Sequence, residues 1–150
     1  MEEIIRRIHW QKVLVAAVAY LIIAFILRQI EVVLTMDYYK NPEFFGVWSK
    51  LMMPTAGPPP ASFLVTSLVF TYLTGLTLAA LYEFLKPILP KDVKTRFYVY
   101  TKVVIVLATV LFTLPVLLLF NIPFSLLFVW FITALVTIMC STVAFIWILK

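Results

Sequence analysis

The chain has 150 residues, of which 64% are hydrophobic and 13% charged, with a net charge of +5. A soluble domain carries roughly half apolar and a quarter charged residues, and a domain this small buries only about two-thirds of its unfolded surface. The excess apolar surface has to face lipid, which excludes an ordinary soluble domain.

A hydrocarbon core about 30 Å thick takes roughly twenty helical residues. The first apolar stretch, 13–34, follows Arg6 and Arg7 as a signal peptide would. It is too long for one and lacks a small-residue cleavage site, so it reads as a retained span. Within it Arg28 and Glu31 stand three residues apart and can pair on one helix. Ala17, Leu21, Ala24, Arg28, Glu31 and Thr35 form one stripe of small and polar side chains, which predicts a face turned to other helices. Counted back from Thr35, Arg28 lies roughly 10 Å into the membrane. A charge at such depth marks a ligand or transport site, or else a structural ion pair; a long arginine can also snorkel to the headgroups.

The linker "MDYYKNPEFFGVWSKLMMPTAGPPP" comes next. Asn41-Pro42-Glu43 makes a helix start, because Asn caps free amides, Pro suits the first position and Glu complements the dipole. Phe44, Val47, Trp48 and Leu51 then recur on one helical face, which predicts an amphipathic interfacial helix over about 42–53. With Tyr38 and Tyr39 it reads as an aromatic anchor, a lid or a docking surface. Met36, Met52 and Met53 lack the Cys or His neighbours that a soft metal site needs.

The second span, 61–81, carries Ser67, Thr71, Gly75 and Ala79 at four-residue intervals, a pattern that lets helix backbones approach closely. The third, 103–120, is expected to start its helix near Asp92 and to kink at Pro115. Asn121-Ile122-Pro123 turns into the fourth, 124–149, where Thr133, Thr137 and Ser141 form a second small-residue stripe.

Basic residues set the orientation. Arg6, Arg7, Lys12, Lys86, Lys91, Lys94, Arg96, Lys102 and Lys150 fall on one side, against Lys40, Lys50 and Arg28. The positive-inside rule then places the chain in the cell membrane with both termini cytoplasmic. That distribution explains the net charge without nucleic acid.

The sequence lacks a phosphate-cradling glycine loop, an intramembrane aspartate and a His-Glu-x-x-His motif. Cys140 alone forms no internal disulfide, His9 is the one imidazole, and no catalytic residue, cofactor or metal is expected. The stretches "YYKNPEFFGVWSKLMMP" and "LFNIPFSLLFVWFITALV" resemble small four-span membrane proteins of bacteria and archaea, a group that supplies no activity to transfer. Small multidrug exporters fit poorly, since their first-helix carboxylate is deep and Glu31 is near the outer end.

The expected fold is a single all-α membrane domain, a four-transmembrane-helix antiparallel bundle with the interfacial helix between the first two spans. The leading functional expectation is a non-enzymatic interaction protein, an accessory subunit or homo-oligomer packing through its small-residue faces. The alternative is a small transporter or a lipid- or hydrophobic-ligand-binding protein that uses Arg28, Glu31, Tyr39 and Trp48. Expected partners are membrane lipid and either further copies of the chain or a larger membrane complex.

Overall fold

The computed structural model describes residues 8–55 and 58–150. Arg6 and Arg7 of the orientation argument lie outside the described residues. The molecule is all-helical, with 80% of residues in helix and no strand among the described residues. Four helices are long and apolar enough to cross a membrane: α1 (Trp10–Leu34), α3 (Ala61–Leu85), α4 (Val93–Leu119) and α5 (Phe124–Ile148). A short helix, α2 (Met36–Lys40), follows α1 almost without a break.

Helix α1 is the hub, packing against both α3 and α5, while α4 packs against α5 through its first two-thirds. Helix α3 also meets α4 and α5, where Tyr82 packs edge-on to Tyr100 at 5.0 Å and against Phe145 at 6.3 Å, and the Tyr100 hydroxyl donates to Leu78 O at 2.6 Å. The reason for the tight α1–α3 pair is Gly75, over which the Tyr20 side chain lies, with atoms 2.8 Å from where a Cβ would stand. Ala16, Ala17 and Ala79 are also fully buried, so small residues bring these backbones together. Ser67 and Thr71, nearer the start of α3, bond to carbonyls of their own helix. On α5, Thr137 does the same through Thr133, and Thr137 and Ser141 are buried. Gly75, Ala79, Thr137 and Ser141 therefore meet other parts of this chain.

Helix α4 begins where Asp92 caps it, accepting the Thr95 backbone N–H at 2.8 Å and the Thr95 hydroxyl at 2.7 Å. These two bonds hold the Asp92 carboxyl below its ordinary value. Before Pro115, residues Thr109–Thr113 widen into a π-turn, with the Leu114 N–H reaching back to Thr109 O. A proline cannot donate, and the wider turn re-pairs the backbone around it.

The linker differs from its sequence pattern. Asn41 caps Glu43 N at 3.0 Å, and Pro42–Val47 then forms a 3-10 helix that ends at Val47 instead of continuing as an α-helix to Met53. Gly46 weakens helix continuation, and Ser49 turns the backbone by accepting from Met52 N through both its carbonyl and its hydroxyl. Trp48 is consequently turned toward Tyr39 and Trp130, and Leu51 is left exposed.

Candidate functional site

A polar cluster is built where α1 ends. Glu31 is 1% exposed although it carries a carboxylate. Its Oε1 accepts from three donors: the Thr35 hydroxyl at 2.7 Å, Trp130 Nε1 at 3.0 Å and the Tyr39 hydroxyl at 3.2 Å. Its Oε2 faces Arg28 Nε at 3.3 Å, an ion-pair contact outside hydrogen-bond geometry. An isolated buried carboxylate costs several kcal/mol in desolvation, so this density of donors is what makes Glu31 tolerable there.

Local sequence explains the near partners. Arg28, Glu31 and Thr35 share one helical stripe, and the almost unbroken passage from α1 to α2 brings Tyr39 back over it. Trp130 comes from α5, six residues past its start, and its N–H is shared between Glu31 and the Tyr39 oxygen at 3.2 Å. Trp48 completes an aromatic cover, its ring 4.8 Å from Tyr39 and 6.2 Å from Trp130. Its indole Nε1 is buried without an acceptor among the described residues. Tyr38 fastens the same segment to α5 through Ser125 Oγ at 2.6 Å.

Arg28 is held differently. Its side chain is 53% exposed, and its guanidinium carbon stands 5.9 Å from the Trp130 ring centre. Glu31 engages only Nε, so the two terminal nitrogens make no hydrogen bond among the described residues. Burial pushes the Tyr39 phenol above its ordinary value, keeping it a proton donor to Glu31. The cluster thus presents a cation beside an aromatic wall, backed by a carboxylate whose Oε1 takes three donors and whose Oε2 faces Arg28 without a hydrogen bond. It can recognise an anion or an amphipathic molecule with a polar head, and it contains no nucleophile–base pair.

The structure brings Arg28, Glu31, Tyr39 and Trp48 together and adds Thr35 and Trp130, which the sequence did not single out as site residues. A second buried carboxylate lies at the opposite end. Glu83 Oε1 is 3.2 Å from His9 Nδ1 and Oε2 is 3.3 Å from Lys86 Nζ, while Lys86 also donates to Leu149 O. His9, isolated in the sequence, is therefore a partner of Glu83 across 74 residues. Among the described residues no group of three or more His, Cys, Asp or Glu side chains could hold a metal.

Comparison with known proteins finds no matching family model, no similar curated protein and no similar solved structure.

Proposed function

We propose that the chain is a non-enzymatic multi-pass protein of the cell membrane that binds a lipid or other amphipathic ligand on the Arg28–Glu31 cluster. In this reading the four helices form an antiparallel bundle with both termini cytoplasmic, and the 36–53 segment lies at the outer interface. The observation that supports it is the pairing of a buried Glu31, three donors on its Oε1, with a half-exposed Arg28 whose terminal nitrogens have no partner among the described residues. A purely structural pair would gain most by closing both ends; here one end stays available. Charges at membrane depth are functional candidates by default, and Arg matches planar oxyanions through two parallel N–H groups. Trp48 Nε1 offers a further donor at the same place.

Native mass spectrometry of the protein released from membranes in mild detergent tests this. Wild type should carry one more bound amphiphile than Arg28→Gln, with helicity unchanged. Equal numbers of adducts on both proteins would count against the site.

A second reading, an accessory subunit or homo-oligomer, is supported by exposed helix faces. Helices α3 and α4 both carry large apolar side chains left exposed, among them Leu64, Val65 and Phe70 on α3 and Leu107, Leu111 and Phe112 on α4, so both have open faces. The same spectra would then show further copies of the chain or a partner subunit.

A further inference from the structure

The end of the molecule opposite Glu31 carries an independent feature. Between the start of α4 and the end of α5 lies an open groove of about 270 Å³, walled by Phe97, Tyr98, Val143, Ile146 and Trp147, with Lys94 on its rim. Lys150 Nζ sits 3.7 Å from the ring centre of Trp147, one of the groove's walls. Val143 is five residues before the end of α5, which puts the groove floor about 8 Å below its mouth at roughly 1.5 Å per residue. The groove therefore grades from cationic at its mouth to apolar further in, where Phe97 and Tyr98 stand with Val143.

The surrounding charges sharpen this. Arg96 is committed to the Pro90 and Lys91 carbonyls, and Lys86 to Glu83 and Leu149 O. The nearby Asp92 carboxylate is taken up by Thr95, and Glu83 is buried with its own partners. Lys94 makes no ion pair or hydrogen bond among the described residues, and Lys150 Nζ makes only its contact with Trp147. Lys91 and Lys102 add to the same positive field.

We infer that this groove is a binding site for an anionic phospholipid, its phosphate between Lys94 and Lys150 and its first acyl methylenes on Val143 and Ile146. A free phosphate would use the rim and leave the apolar floor empty. A neutral lipid would use the floor and gain nothing from the lysines. Each lysine at a membrane surface adds about 1 kcal/mol toward anionic lipid, which is about five-fold in affinity.

Native mass spectrometry with titrated phosphatidylglycerol, phosphatidylcholine and inorganic phosphate tests the assignment. Phosphatidylglycerol should be retained about 25-fold better than phosphatidylcholine, about five-fold for each of the two lysines. Lys94→Gln should cut that preference about five-fold, and adding Lys150→Gln should abolish it, whereas Lys94→Arg preserves it. Val143→Trp, on a lipid-exposed position, fills the floor and should weaken retention of the anionic lipid. Arg28→Gln should leave it intact, so this site and the Arg28 cluster stand or fall separately. Equal retention of phosphatidylcholine, or a preference that survives the double lysine variant, overturns the inference. Displacement of the lipid by inorganic phosphate would make this a free-anion site and overturns it also.

Discussion

Tyr20 of α1 lies directly over Gly75 of α3, so that a Cβ at position 75 would stand 2.8 Å from Tyr20 Cβ. That clash involves an atom next to the backbone, and a rotamer change cannot relieve it. Gly75→Ala should push α1 and α3 apart and destabilise the protein by about 1–3 kcal/mol, the usual cost of overpacking. Gly46, where nothing lies within 4 Å of an added Cβ, is the matched control. Thermal unfolding in detergent should show a clear drop for Gly75→Ala and almost none for Gly46→Ala.

Glu31→Gln keeps the side-chain shape and removes the charge. The amide oxygen can still accept, but it serves three donors less well, and the new amide N–H groups face Arg28. Because Arg28 is half exposed, the ion pair itself contributes little. The expected loss of about 1–3 kcal/mol comes from the buried hydrogen bonds. A double-mutant cycle with Trp130→Phe checks this: the two losses should fall well short of additive, since they remove the same bond.

The Tyr39 phenol gives the cluster a pH dependence with a defined sign. Burial raises its folded-state value above the ordinary 10.0, with Glu31 adding to the rise and Arg28 and Trp130 opposing it. A phenol raised in this way contributes stability that is complete below 10.0 and is lost as pH climbs through the folded-state value. Ultraviolet titration of wild type against Tyr39→Phe should show one phenol that stays protonated beyond 10.0. Ionisation of that phenol at or below its ordinary value would show that it is not buried as described.

Composition and helix length made the four apolar helices legible, because the hydrocarbon thickness sets their length. The Arg28–Glu31 pairing was legible for a similar reason, being a local spacing on one helix. Trp130 was not: it meets Glu31 across 99 residues, and nothing in the periodicity of α5 marks which of its aromatics turns inward. The same holds for His9 and Glu83, separated by 74 residues. Which helices pair depends on the fit between particular side chains, such as Gly75 with Tyr20 and Tyr82 with Tyr100, which hydropathy does not encode. In the linker, a genuine helical spacing of Phe44, Val47 and Trp48 overstated the helix. Gly46 and Ser49 stop it locally, and Trp48 follows the aromatic cluster instead of a continuous helical face.

The reading rests on the Glu31 cluster and its aromatic cover standing at the outer surface, with the Lys94 rim on the cytoplasmic side. Position 46 is exposed with open space around it, and position 94 is exposed at the other end. In a Cys140→Ala background, Gly46→Cys should react with a membrane-impermeant maleimide on intact cells, and Lys94→Cys only after the membrane is opened. Labelling in the reverse order, or of both positions without permeabilisation, would contradict the account.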